Sequence, residues 1–526
     1  MLIFIKTMQS KIYDVCVIGA GISGLFCAYL LSHDPNINIC LIEKSPHVGG
    51  RIRSNNWEIN NKIFTVENGA YRFNPNDHPI LWGLIKHFGM EKYVYELKSR
   101  NVFFPLINDS IEKALKHSKT NLKFKKIGVL IDQYFNDYGK NMNVDDASKM
   151  YGYPTDFDIN ASWFETDGKN GAMNSKDQYY SLLDEKNNKG LSMITDCLCE
   201  ILKKQNNVDV YLKTFVEKLN HNQNQYFVKC KQNKQIKKFQ CKTCFIGLPL
   251  KAVKKIKGNT IQSFDHLFHS IKEGDYIRLY AHFPVGYKEF LSRKGFPFIH
   301  MPKIIGKTCL GQIVPHEKYD CIAMISYCED SNVSKMMDIL QPQNDTQSDK
   351  QRINETLVYY VEKHIDTFFE WMEKYVPEKY TLYKPYQNVW KQFLTSFDDL
   401  NLGMWESVIG KWQSRILIEK IQKQLAQPMD NLHIIGEVVS EKNHGWMEGA
   451  LDTAFQSYKN FKNEVKSQSY FNWENIHTWN RLHPGGKNAI CPFIEKENVN
   501  ELKKTMQNIH HGQEAFLTMT SLSNLN

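Results

Sequence analysis

Two glycine-rich segments at opposite ends of the chain constrain its fold more than any other feature. Near the start, Gly19-Ala20-Gly21-Ile22-Ser23-Gly24 follows the run Tyr13-Asp14-Val15-Cys16-Val17-Ile18 and precedes the apolar stretch Leu25 to Leu31. This pattern predicts a buried parallel strand, a tight turn and a packed helix. About four hundred residues later, Leu432-His433-Ile434-Ile435 runs into Gly436-Glu437 and then His444-Gly445-Trp446-Met447-Glu448-Gly449-Ala450. If both segments serve one nucleotide-binding fold, its sheet closes only at the far end of the chain. A second unit is then inserted between its parts.

In the first segment each glycine has a physical task. Gly19 permits the tight turn, Gly21 lets a pyrophosphate approach the backbone, and Gly24 lets the helix lie close to the strand. Ser23 stands with them in the first turn, where free N–H groups and the positive helix end face the phosphates. The run Asn38-Ile39-Cys40-Leu41-Ile42 predicts a second strand ending at Glu43. That position, about 20 residues beyond the glycines, suits a carboxylate accepting hydrogen bonds from ribose hydroxyls. It would repel a 2′-phosphate. Gly49-Gly50-Arg51 follows, where glycine again allows close approach and an arginine fork suits a diphosphate. The plainer alternative for Arg51 is a surface salt bridge.

With Glu43, a short spacer and Gly49-Gly50-Arg51, the chain resembles the flavin-containing amine oxidase superfamily. That superfamily includes monoamine and polyamine oxidases, protoporphyrinogen oxidase and the phytoene desaturases. The resemblance implies FAD rather than NAD. Glu67-Asn68-Gly69-Ala70-Tyr71-Arg72-Phe73 is similar to the family's next flavin-side segment, which brings in Gly69 and Ala70. Lys189-Gly190-Leu191-Ser192-Met193, Val208 to Leu212 and Thr214-Phe215-Val216 resemble the return to the cofactor domain, with the Val216 backbone at the adenine side. Cys244 to Leu250 resembles the strand and proline turn where the chain leaves again. Gly436 and Glu437 correspond to a position beside the ribityl and pyrophosphate region. His444 to Ala450 resembles the start of the last flavin-contacting helix, including Met447. Its amino end, carrying about half a positive charge, would favour an anionic reduced flavin.

The fold class expected is α/β: a Rossmann-like FAD-binding domain, discontinuous in sequence, with an inserted α+β substrate domain and a helical lobe. Residues 8–80, 189–250 and 421–465 form the FAD-binding parts. Residues 81–188 read as mainly helical, with an irregular polar centre around Asn141 to Lys176, and 251–420 as substrate domain. Within the latter, Tyr276 to Ala281 reads as a strand, Thr356 to Lys374 as helix and Gln341 to Gln351 as a polar loop. Residues 466–526 form an irregular tail with Trp473, Trp479 and Phe493, beyond the resemblance.

The resemblance implies an FAD-dependent oxidase that moves a hydride from an amine-type substrate to the flavin, with molecular oxygen as acceptor and hydrogen peroxide as product. Two other readings stay open: a desaturase of an apolar isoprenoid or porphyrinogen, and a flavin-loaded structural or interaction protein. Trp446 stands where monoamine oxidases have one cage tyrosine, although a tryptophan opening a helix is also ordinary core. Trp405 and Trp412 are candidates for the opposite wall. At Gly274-Asp275-Tyr276-Ile277-Arg278 the chain departs from the family, which places a lysine near the flavin. Arg278 stays protonated and cannot serve as a neutral base. It either binds a substrate carboxylate or caps the strand.

With 42% hydrophobic and 23% charged residues, the composition is that of a globular enzyme rather than a disordered chain. The net charge of +9 is scattered except at Lys123 to Lys126, Lys231 to Lys238 and Lys251 to Lys257, which read as solvated faces rather than a nucleic-acid surface. No apolar run is long enough for a membrane span, and the opening Met1 to Lys6 is too short for a signal core, Met8 being a second possible start. The polar end, Thr518 to Asn526, differs from the apolar helix of membrane-anchored amine oxidases. A soluble, intracellular (cytoplasmic) protein is the expectation. The 12 cysteines form no disulfide framework, and Cys241-Lys242-Thr243-Cys244 lacks a second ligand pair, so no metal is expected. No cysteine lies between Cys328 and Cys491, which implies non-covalent FAD. The oligomeric state is not legible.

Overall fold

A computed structural model describes residues 12–97, 179–282, 314–329, 347–375, 403–412, 423–440, 443 and 445–464, with isolated positions between 336 and 388. The chain start, Lys123 to Lys126, Asn141 to Lys176, His444 and the tail with Trp473, Trp479 and Phe493 lie outside the described residues.

Strand β1 (Ile12–Ile18) runs through the glycine turn into helix α1 (Ile22–Ser32) and strand β2 (Ile39–Ile42). A hairpin of β3 (Ser54–Ile59) and β4 (Lys62–Glu67) leads to helix α2 (Pro79–His87). Strand β5 (Val94–Glu96) pairs with β6 (Tyr180–Leu182), and helix α3 (Ser192–Lys203) follows. Then come β7 (Val208–Tyr211), β8 (Thr214–Asn222), β9 (Gln225–Gln232) and β10 (Gln235–Ile246). Short helices α4 (Leu250–Val253) and α5 (Asn259–Gln262) precede β11 (Ile271–His282), β12 (Val314–Pro315) and β13 (Ile322–Glu329). Helix α6 (Gln347–Tyr375), β14 (Gly403–Trp412), β15 (Leu432–Ile434) and α7 (Met447–Glu464) complete the described chain.

The principal sheet gathers strands from three distant stretches of sequence. Its parallel part runs β7-β2-β1-β10-β15. An antiparallel meander, β8-β9-β10, extends it, because β10 is long enough to pair β9 along its first half and β15 at its end. Strand β1 is apolar on both faces because both faces are covered. Helix α1 is buried all round, packed against the sheet, α3 and α7, and this explains its lack of a polar face. The turns use residues that tolerate positive φ, such as Asn60-Asn61 between β3 and β4 and Asn233-Lys234 between β9 and β10. A second, antiparallel sheet runs β12-β13-β11-β14. In it Arg278 lies in register with Trp405, and Ile271 with Trp412.

Two expectations change. The stretch Gln341 to Gln351 is not loop throughout: α6 begins at Gln347, because its Gln, Asp, Lys and Arg residues are compatible with a solvated helix start. Of residues 81–188, the described part holds α2 and a short 3₁₀ turn but also β5 and β6. Cys241 and Cys244 lie in a buried apolar cluster with Cys16, Cys40 and Cys230, and hydrogen bonding with Cys16 together with burial pushes their thiols up. Among the described residues no group of His, Cys, Asp and Glu could hold a metal ion, and no helix is long and apolar enough to cross a membrane.

Candidate functional site

The parallel sheet ends in glycine-bearing turns, and these turns surround a cavity of about 570 Å³. Gly19, Gly21, Ser23, Glu43, Gly50 and Arg51 line it from the first part of the chain. Gly69 and Ala70 follow β4, and Val216 lies on β8. Gly436, Glu437, Trp446 and Met447 come from the far end, and Arg278 from the second sheet. Gly24 is the one predicted site residue that does not line the cavity. A Cβ there would overlap the Gly19 carbonyl and press on Val17, so Gly24 sets the close approach of α1 to β1.

Gly19 adopts φ +101°, which an L side chain rarely takes, and a Cβ on it would strike Gly247. By contrast, a Cβ on Gly21 or Gly436 would meet nothing within 4 Å, so both α-carbons face open cavity. Helix α1 starts just after Gly21, and α7 starts at Met447. Two helix amino termini therefore reach one cavity, and their unsatisfied N–H groups and dipoles favour negative charge there.

Glu43 is buried at the end of β2. Its carboxylate accepts from the Ala20 amide at 2.9 Å and from the Ser45 amide at 2.8 Å. The acidic group is thus held against the glycine turn while its residue still borders the cavity. Arg51 forms an ion pair with Glu437, Nη1 to Oε1 2.7 Å. This is the salt bridge that sequence offered as the plainer alternative, but it joins the two ends of the chain rather than decorating the surface. The other Glu437 oxygen accepts from the Gly445 amide at 3.0 Å, and Thr453 Oγ1 accepts from the Gly436 amide at 2.9 Å. These contacts tie the Gly436 turn to the start of α7.

Behind Gly69, the buried Glu67 accepts from the Leu191 amide at 2.7 Å and from Ser54 Oγ at 2.9 and 3.0 Å. Burial pushes its carboxyl up to about 7, opposed by those hydrogen bonds and by the Arg278 charge. Arg278 donates to the Gly69 carbonyl, and its guanidinium lies 4.8 Å from the Tyr71 ring centroid. Neither reading of Arg278 as a carboxylate ligand or a strand cap includes this contact with the segment after β4.

Trp446 is packed by aromatic and cationic neighbours. Tyr179 stacks on it with centroids 6.0 Å apart, His78 lies at 4.8 Å, and the Arg72 guanidinium at 5.3 Å. Burial and the Arg72 charge hold His78 down near 4, so its ring stays neutral. Next to Met447, Glu448 accepts from the Ile80 and Leu81 amides, both at 2.9 Å, and so binds the amino end of α2. Burial pushes this carboxyl up to about 8 against the two amide donors.

Sequence reasoning missed Arg72, Tyr179, His78 and Glu448. Arg72 and Glu448 stood inside segments already singled out, but their partners are distant in sequence. The lysines of Lys251 to Lys257 are exposed, as a solvated face requires, and Lys251 and Lys255 also border the cavity, because Pro249 turns the chain back beside the glycine loop.

Comparison with known proteins agrees with this geometry. The family model described as NAD(P)-binding Rossmann-like domain matches residues 17–88. Amine oxidase [flavin-containing] A of Equus caballus is 35% identical over 97 residues, 18% of this chain and 17% of that protein. Chloroplastic thiamine thiazole synthase of Citrus sinensis is 60% identical over 37 residues, 7% of this chain and 10% of that protein. The chain therefore aligns with only about a tenth to a sixth of the length of these curated relatives. Among solved structures, a putrescine oxidase variant from a redesign of cofactor binding superposes with TM-score 0.53 at 11% identity, covering 87% of this chain and all of that one. Wild-type putrescine oxidase bound to putrescine superposes with TM-score 0.50 at 12% identity, covering 86% of this chain and all of that one. Residues 17–88 thus carry a Rossmann-like nucleotide-binding segment, and the chain as a whole shares the fold of the putrescine oxidase structures.

Proposed function

We propose that the protein is an FAD-dependent oxidase acting on an amine-type small molecule, with oxygen as electron acceptor. One observation carries this reading: residues from both ends of the chain, Gly19 and Gly21 to Ser23 on one side and Gly436 to Val438 with Gly445 to Met447 on the other, line a single cavity. A nicotinamide dehydrogenase would leave the second turn without a ligand to meet.

The residues fit the dinucleotide. Gly21 and Gly436 present bare backbone to the cavity, as a pyrophosphate and its neighbouring chain require. In the proposal Glu43 holds the adenosine ribose, the Val216 backbone lies at the adenine, and Gly19, Gly21, Ser23 and Gly50 take the phosphates with Arg51. Gly69, Ala70, Gly436, Glu437 and Met447 surround the flavin side. FAD supplies two-electron chemistry there, accepting a hydride from a substrate carbon and passing electrons to oxygen to give hydrogen peroxide. The absence of cysteine between Cys328 and Cys491 supports non-covalent binding. Trp446 forms a wall of the substrate site and Arg278 fixes the Gly69 carbonyl beside it. Tight aromatic packing around Trp446 serves to orient the donor and exclude water.

Purified protein should be yellow, or become so after incubation with FAD. Anaerobic mixing with amines or amino acids should then bleach the flavin absorbance. A preparation that stays colourless in excess FAD would overturn the cofactor. A yellow protein bleached only by porphyrinogens or carotenoids would overturn the substrate class.

A further inference from the structure

The meander β8-β9-β10 has one covered face and one open face. Its inner side chains Val216, Leu219, Val228 and Phe239 share a buried cluster with Leu250, Val253 and Ile261 of α4 and α5. On the outer face the register sets four lysines in one row. Lys218 pairs with Lys229, Lys229 pairs with Lys238, and Lys257 bridges Lys218 at the edge of β8. With neighbouring strands about 4.8 Å apart, the row is roughly 14 Å long. Phe215, Lys231 and Ile236 form the next row on one side. Asn220, Phe227, Gln240 and Ile12 form the next on the other.

Like charges directly opposite one another in a sheet are destabilising, so the lysine row works against folding. Glu217 offsets one member, reaching Lys229 at 3.5 Å. Among the described residues Lys218, Lys231, Lys238 and Lys257 have no ion-pair partner. Lysines often guard an edge strand against pairing with another chain, but β9 and β10 are internal to the sheet. The row is therefore suited to an anionic partner. Apolar side chains flank it on both sides: Ile12 is 59% exposed, Ile236 56%, Phe215 44% and Phe227 40%.

These features separate the possible occupants. A second copy of this face would set lysine against lysine. Single-stranded nucleic acid is bound by aromatic stacking, with arginine adding to it. The three rows hold no arginine, and their two most exposed apolar side chains are isoleucines, which have no ring to stack. An anionic bilayer suits both kinds of side chain: ammonium groups meet the lipid phosphates while apolar tips enter the headgroup boundary.

We infer that the outer face of the β8-β9-β10 meander docks on an anionic lipid bilayer, lying on the membrane rather than spanning it. The row of Lys257, Lys218, Lys229 and Lys238 supplies the charge, and Ile12, Phe215, Phe227 and Ile236 supply the apolar contact. None of those four lysines lines the cavity, so the inference does not depend on the cofactor. Phe215 belongs to both the face and the cavity rim, so docking brings that rim to the membrane surface.

The full-length protein tests this by co-sedimentation with phosphatidylcholine vesicles made with and without phosphatidylserine. The wild type should bind the anionic vesicles about tenfold or more tightly than the neutral ones, and added salt should weaken the binding. Lys218→Glu with Lys238→Glu should lower that affinity about tenfold or more. Lys204→Glu with Lys363→Glu makes the same charge change at exposed lysines elsewhere and should lower it far less. Ile12→Ser with Ile236→Ser, which leaves the charge intact, should lower it about fivefold. Thermal unfolding confirms that each variant is folded, and the isoleucine pair keeps the inference testable if the lysine pair is not. Equal binding to both vesicles, or none, overturns the proposal. So do equal losses in the two lysine pairs, or an isoleucine pair that binds like the wild type. A thymidine oligonucleotide bound more tightly than the vesicles, and lost in Lys218→Glu with Lys238→Glu, would give the face to nucleic acid instead.

Discussion

The two ends of the cavity are built in different ways. The end beside β1 and β2 is made mostly of backbone: a positive-φ glycine, bare α-carbons and helix amino termini, with one carboxylate, Glu43, pinned by two amides. At the other end the side chains of Arg278 and Trp446 line the cavity, and Trp446 is packed against Arg72 and Tyr179 through ring and cation contacts. In the proposed reading the first kind of wall would meet what every dinucleotide shares, and it tolerates little change because backbone cannot move aside. The second would meet a particular ligand and can be altered one residue at a time.

Substitutions should separate the two ends, and the largest effect belongs to the backbone wall. Gly24→Val would drive its side chain into the Gly19 carbonyl, and the overlap is with backbone rather than a movable side-chain tip. A loss of about 3 kcal/mol or more in unfolding free energy is expected, with loss of bound flavin. Urea denaturation and absorbance near 450 nm would check both, and a stable yellow variant would break the comparison.

Next in size is a pH effect behind the side-chain wall. The Glu67 carboxyl titrates near 7 in the folded protein and near 4.5 in the unfolded chain. The folded state therefore binds the proton more tightly. The associated stability is fully present below 4.5 and is lost as pH rises through about 7. The stability of the wild type relative to Glu67→Gln should fall by roughly 3 kcal/mol across that window. A flat difference curve from denaturation at several pH values would contradict it.

Glu43→Ala should weaken FAD binding by about tenfold or more, because it removes the ribose acceptor and releases the Ala20 and Ser45 amides. Fluorescence titration of the flavin-free protein measures it, and unchanged affinity would remove the ribose role. The smallest effect on cofactor retention should come from Trp446→Ala. Its FAD content should stay within about twofold, while flavin reduction by substrate slows about tenfold or more. Equal losses of retention and reduction would mean that the two ends are not separable.

The elements that sequence made legible share one property: their signals are local. The β1–turn–α1 unit, β2 with Glu43, and the start of α7 each declare themselves within about a dozen residues, because glycine spacing and apolar runs report backbone geometry directly. Helix α6 was placed but begun too late, since its first turn is polar and offers no periodic apolar face. The Arg51–Glu437 ion pair could be foreseen only as a possibility, because nothing in either segment names the other. Lys251 and Lys255 are exposed as read, but their place on the lip of the cavity was not legible, because a charge run looks the same on any exposed face.

The sequence alone determined that a strand, a glycine turn and a buried helix would open the chain, and that a matching turn would close it. It did so because backbone freedom and burial leave marks at short range. Only the tertiary structure decided which side chains would pack around Trp446 and the start of α7. Arg72 meets Tyr179 and Trp446, and Glu448 caps α2, through contacts between residues a hundred to several hundred positions apart. Such contacts follow from how sheets and helices stack, and no local pattern encodes them.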